Sequence, residues 1–87
     1  MRSTLRIFVA EDCPNCVEAR AIAARIEQNF PGLAVEIVDI KNDRAIVPDA
    51  VFATPTFMLN NRIVSLGNPK LDDVAQWVEM GTAHLAQ

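Results

Sequence analysis

The stretch Cys13-Pro14-Asn15-Cys16 stands where an apolar run, Leu5 to Ala10, gives way to a helical pattern. It holds both cysteines of the chain, so a strand must end and a helix begin within a few residues of the thiols. Two thiols at i and i+3 in the first turn of a helix are close enough to close a small disulfide ring. The N-terminal thiol, Cys13, also lies at the positive end of the helix dipole, which favours its thiolate form. The spacing points to a redox dithiol. Half a zinc site and inert thiols are the other readings. Zinc wants four ligands, and within one chain only His84 is placed to join the pair.

What surrounds the thiols bounds these readings. Eighty-seven residues make one domain, 1–87, and a domain this small buries only roughly two-thirds of its unfolded surface. Half the residues are hydrophobic, as in a packed domain. The net charge of -3, with arginines scattered among acids, offers no phosphate-binding stripe and argues against nucleic acid. No apolar run approaches a membrane span, and Met1 to Thr4 leads directly into a strand-like segment, so the expectation is a cytoplasmic protein without a membrane role. There a two-cysteine motif more often serves catalysis or metal binding than stapling.

Residues 5–10 read as a buried strand. Asp12 offers an N-cap and Pro14 stands just inside the helix, where its missing N–H costs nothing. Ala19, Ile22, Ala23, Ile26 and Phe30 then form one apolar stripe, and Pro31-Gly32 stops the helix. Leu33 to Ile40 is the next strand, interrupted only by Glu36 and Asp39 and expected to be a mostly covered inner strand parallel to the first. Lys41-Asn42-Asp43 opens a short helical possibility through Val47 that Pro48 interrupts.

Ala53 to Leu59 reads as a strand opened by Pro55, and Arg62 to Leu66 as its hairpin partner across Asn60-Asn61. Asn68 is a plausible N-cap for the last helix, with Pro69 at its first position and Asp72 and Asp73 in its first turn. Leu71, Val74, Ala75, Val78 and Leu85 supply its buried stripe, with Trp77 beside it as a packing residue. Fraying is expected after Met80, next to Gly81. His84 reads as a solvated residue near the helix end. Asp39, at a strand end, is either a surface acid or a proton acceptor for Cys16. The order is β-α-β-(α)-β-β-α.

That order, the Cys13-Pro14-Asn15-Cys16 motif after the first strand, Thr54-Pro55 before the third, and Gly67 before the last helix resemble the thioredoxin-fold family in its small, glutaredoxin-sized form. The resemblance implies an α/β fold with a mixed four-stranded sheet flanked by helices. It also implies a thiol–disulfide oxidoreductase with a redox-active Cys13–Cys16 disulfide and no further cofactor or metal. Cys13 would attack a protein disulfide and Cys16 would resolve the mixed disulfide. Pro55 would be cis against the dithiol, the Thr54 backbone would pair with substrate, and Pro14 and Asn15 would border the bound chain.

Electron transport and cell redox homeostasis are the implied roles, with a thiol or a flavin-dependent reductase as electron source. The sequence departs from the thioredoxin pattern in having Asp12 rather than an aromatic residue before the motif. It departs from the glutaredoxin pattern in Asn15, in the acidic approach Glu11-Asp12, and in having only Gly67-Asn68 where a glutathione-holding stretch stands. These departures count against glutathione. The helix terminus lowers the Cys13 pKa and the two acids raise it, so a moderate lowering below a free cysteine is expected.

Val9-Ala10, Pro14-Asn15, Phe30-Pro31-Gly32, Val38-Asp39 and Ala53-Thr54-Pro55-Thr56 also resemble the circadian-clock KaiB family. Its members lack the redox cysteines and act by binding proteins. The alternative this implies is a protein-binding regulatory module with incidental thiols.

Overall fold

The structure, a computed structural model, describes residues 3–42 and 44–85, with 80–85 described by backbone alone. Its elements are β1 (Thr4–Val9), α1 (Pro14–Asn29), β2 (Ala34–Asp39), β3 (Thr56–Leu59), β4 (Arg62–Leu66) and α2 (Leu71–Leu85). The four strands form one mixed sheet in the order β2-β1-β3-β4. β1 is parallel to β2 and antiparallel to β3, and β3 is antiparallel to β4. This is the mixed four-stranded, thioredoxin-like sheet that the sequence resemblance implies.

β1 is an inner strand, paired on both edges, as is β3. Leu5, Ile7 and Val9 point one way, and all are fully buried. They share a core with Cys16, Ala19, Ile22, Ala23 and Ile26 of α1, Phe57 of β3 and Val74 of α2. The 3.6-residue period of the α1 stripe thus does its work: one helix face closes over one sheet face. Trp77 packs beside it, its ring 6.3 Å from Phe57 and tilted by 49°.

The opposite sheet face is not bare, since Phe8 is fully buried and Met58 is 3% exposed. The chain must cross from the β2 edge to β3 on the far side of β1. In the β2–β3 connection Ala45, Val47, Pro48 and Val51 are half-buried.

Several sequence expectations need correction. β2 is an edge strand, not an inner one, and Ile37 stands 40% exposed. Its apolar composition reflects the cover of α1 on one face, with Val35 packed against the core. The described residues of 41–52, which leave out position 43, form turns and irregular chain rather than a helix. Asn42 Oδ1 accepts the Arg44 N–H at 3.0 Å and the Asn42 carbonyl accepts the Ala45 N–H at 2.9 Å, which satisfies the backbone locally.

The N-cap of α1 is Cys13, not Asp12, because Pro14 occupies the first helical position. α2 begins at Leu71, beyond Pro69, and Asp73 Oδ2 accepts the Lys70 N–H at 3.1 Å as the returning half of a capping box. Its backbone continues through Gly81 to Leu85 without ending at Met80. Ala75 is exposed rather than part of the buried stripe. The expectations for Leu85 and His84 concern side chains outside the described residues.

The Asn60-Asn61 hairpin turn forms as read, with Asn60 at φ 55°. The Asn60 side chain accepts the Thr4 N–H at 3.1 Å, and its carbonyl accepts a hydrogen bond from Arg6 at 3.0 Å.

Candidate dithiol site

Cys13 and Cys16 form a disulfide across the first turn of α1, with Cα atoms 5.3 Å apart. The turn that makes this possible is local. Pro14 sets φ for the first helical position, and the Cys16 N–H reaches the Cys13 carbonyl at 3.1 Å. The two sulfurs are not equivalent. Cys13 is half-buried at the helix mouth, while Cys16 is 2% exposed and belongs to the core.

Facing Cys13 across the fold is the turn before β3. The Thr54–Pro55 peptide bond is cis, and Pro55 is buried. Cys13 Sγ lies 3.6 Å from the Thr54 carbonyl oxygen. As a disulfide the sulfur has no proton to give, whereas the reduced thiol can donate to that oxygen. The Thr54 N–H has no acceptor among the described residues.

Two bonds hold this turn: buried Thr56 donates its hydroxyl to the Ala53 carbonyl at 2.6 Å, and the Gly67 N–H donates to the Pro55 carbonyl at 2.9 Å. Gly67 takes φ 95°, a conformation glycine adopts without Cβ strain.

Acidic groups border the dithiol. Glu11, Asp12 and Glu18 are all exposed. Lys41 Nζ pairs with Asp12 Oδ2 at 3.1 Å. Hydrogen bonding to Lys41 chiefly, with help from the backbone and the lysine charge, holds the Asp12 carboxyl below its ordinary value of 3.8. The structure also assigns Asn68 a place that no local signal in the sequence reveals. Its Nδ2 donates to the Asn15 carbonyl at 3.0 Å and lies 3.4 Å from Glu18 Oε2, joining the β4–α2 loop to the dithiol turn. Asp39 instead caps its own turn, accepting the Lys41 N–H at 2.9 Å.

The sequence-predicted residues Cys13, Pro14, Asn15, Cys16, Thr54 and Pro55 therefore come together on one side of the molecule. Nothing in the sequence marks Thr56 and Lys41 for this site, and it marks Gly67-Asn68 only as standing where the glutaredoxin pattern has a glutathione-holding stretch. Gly67, Asn68 and Lys41 act through contacts that link stretches distant in sequence, to Pro55, Asn15 and Asp12 in turn, whereas Thr56 bonds Ala53 only three residues away. Among the described residues no group of His, Cys, Asp and Glu is placed to hold a metal ion, and no helix is long and apolar enough to cross a membrane.

With this geometry in place, comparison with known proteins settles the family. A thioredoxin-domain profile matches residues 3–79. The chain belongs to the thioredoxin domain family. Among solved structures, this thioredoxin domain is similar to one described as a malarial protein, at TM-score 0.72 and 14% identity, covering 92% of this chain and 97% of the other. It is also similar to thioredoxin O2 from Arabidopsis thaliana in the oxidized state, at TM-score 0.68 and 18% identity, covering 91% of this chain and 74% of the other. At these identities the likeness speaks for the fold. No curated protein matches the chain, and the resemblance to the KaiB family gains no support from these comparisons. What the thioredoxin domain carries beyond its fold is a Cys13–Cys16 pair at disulfide distance, which supports a redox thiol–disulfide role.

Proposed function

We propose that this thioredoxin domain is a thiol–disulfide oxidoreductase acting on protein disulfides, with Cys13 as nucleophile and Cys16 as resolving thiol. The asymmetry of burial within the disulfide carries the reading: only Cys13 is open to a partner, and only Cys16 lies behind it.

In the reduced protein the Cys13 thiolate attacks one sulfur of a substrate disulfide. The substrate S–S bond breaks, its leaving sulfur takes up a proton, and a Cys13–substrate disulfide forms. Cys16 gives up its proton and attacks the Cys13 sulfur. The mixed disulfide breaks, the second substrate sulfur leaves as a thiol, and the Cys13–Cys16 bond closes. Two electrons have passed to the substrate, and a thiol or flavin-dependent reductase returns them. The Thr54 N–H, without an acceptor among the described residues, and the Thr54 carbonyl support pairing with an extended substrate backbone as a short added strand. Pro14 and Asn15, both exposed on the other side of the sulfur, border that chain. Phe52, 80% exposed just before this turn, offers an apolar contact.

The test is reduction of insulin by dithiothreitol, run beside the Cys13→Ser variant. The wild-type protein is expected to accelerate precipitation of the insulin chains and the variant to leave the uncatalysed rate. Equal rates would sink the reading.

A further inference from the structure

Resting on the thiol–disulfide reading, we propose that the dithiol selects among substrates by charge, favouring disulfides with a cationic group beside the sulfur. In a protein substrate this means a cystine flanked by Lys or Arg. The site is the dithiol itself, and its acidic rim sets the preference.

Three acids stand within a few residues of the sulfurs, and one of them is neutralised where it stands: Asp12 is paired with Lys41 at 3.1 Å. Glu11 and Glu18 are exposed and have no cationic partner among the described residues. Glu18 is also held in place. Its carboxylate lies 3.4 Å from Asn68 Nδ2, and the same amide bonds the Asn15 carbonyl at 3.0 Å, inside the dithiol turn. One negative charge therefore precedes Cys13 and another is tethered just past Cys16.

The positive end of the α1 dipole acts in the opposite sense. It amounts to about half a charge that falls off within the first turn, so two full carboxylates prevail for a ligand approaching from solvent. An anionic disulfide such as that of glutathione meets repulsion here, and a cationic one meets attraction.

The probes are three small disulfides: cystamine, which is cationic, glutathione disulfide, which is anionic, and 2-hydroxyethyl disulfide, which is neutral. Second-order rates of oxidation of the reduced protein are measured by acid quench and thiol alkylation. Each is divided by the rate of the same disulfide with dithiothreitol, an uncharged dithiol, which removes differences in intrinsic reactivity. At low salt the normalised cystamine rate is expected to exceed that of glutathione disulfide by about five- to tenfold. The ratio should fall toward one as salt rises to about 0.5 M, where the Debye length is only a few ångströms.

The Glu11→Gln/Glu18→Gln double variant should abolish most of the preference, while the new side-chain amide at position 18 retains an oxygen for Asn68. Any general change in Cys13 reactivity cancels in the ratio. A normalised ratio near one at low salt, a preference indifferent to salt, or one unchanged in the double variant would overturn the proposal. Lack of reaction with 2-hydroxyethyl disulfide would overturn the thiol–disulfide reading and this inference with it. Reaction with all three disulfides without charge preference would overturn this inference alone.

Discussion

Thr56 links stability to the site in a way that two substitutions separate. Its side chain is fully buried, and its hydroxyl donates to the Ala53 carbonyl at 2.6 Å, closing the turn that carries Thr54 and Pro55. Thr56→Val keeps the shape and deletes the hydrogen bond. Ala53 is itself exposed, so water can reach its carbonyl and the cost is a net hydrogen bond of about 1 kcal/mol, not a full desolvation penalty. Thr56→Ser keeps the hydroxyl and deletes one buried methyl, also about 1 kcal/mol.

For an 87-residue domain with about 4–13 kcal/mol of total stability, both variants stay folded. Both should lower the urea midpoint by about 1 M if the denaturant slope is about 1 kcal/mol/M. Activity divides them. Thr56→Val frees the turn that places the Thr54 carbonyl 3.6 Å from Cys13 Sγ, and kcat/KM for insulin should fall by about tenfold. Thr56→Ser should stay within about twofold of wild type. If the two variants lose activity equally, or neither does, the hydroxyl does not position the turn and the reasoning fails.

Other perturbations test neighbouring contacts. Lys41→Ala leaves Asp12 uncompensated one residue from Cys13, so alkylation of Cys13 by iodoacetamide at pH 7 should slow by up to about threefold; an unchanged rate would separate Lys41 from the dithiol. Because Lys41 lowers the Asp12 pKa, any stability the pair contributes is present above the ordinary carboxylate value of 3.8 and is lost as pH falls through the lowered value. Urea midpoints of wild type and Asp12→Asn should therefore converge only at strongly acid pH. Gly67→Ala meets no atom within 4 Å of the new Cβ but must hold φ 95°, so it should cost about 1 kcal/mol through the backbone alone, read as a lowered urea midpoint.

How much of this was legible beforehand follows from the range of each determinant. The α1 stripe and the dithiol are local patterns, and both appear where the residue spacing puts them. The helix starts are displaced by one or two residues for equally local reasons that compete. Asp12 is the better capping side chain, but Pro14 fixes the start after Cys13 and Lys41 takes the carboxylate. Asn68 is likewise a good cap, yet its amide goes to Asn15 while Asp73 caps Lys70.

The edge position of β2 was hidden because an apolar run reports cover on its faces, not which strands flank it. In 41–52, helical composition lost to the side chain of Asn42, which offers the backbone a turn. The site's supporting shell, Thr56, Gly67 and Asn68, was the least legible part. Gly67 and Asn68 matter through what the fold brings opposite them, and Thr56 through a hydroxyl that closes its own turn on Ala53.

The central claim is that Cys13 alone makes the bond to substrate and Cys16 alone releases it. Its most direct measurement is mass spectrometry of the complex trapped when the Cys16→Ser protein, reduced, is mixed with a protein disulfide. The predicted result is a stable one-to-one mixed disulfide, cleaved by dithiothreitol, with the substrate cysteine mapped to Cys13. Absence of a trapped species, or an equal yield through Cys16 in the Cys13→Ser protein, would contradict the account.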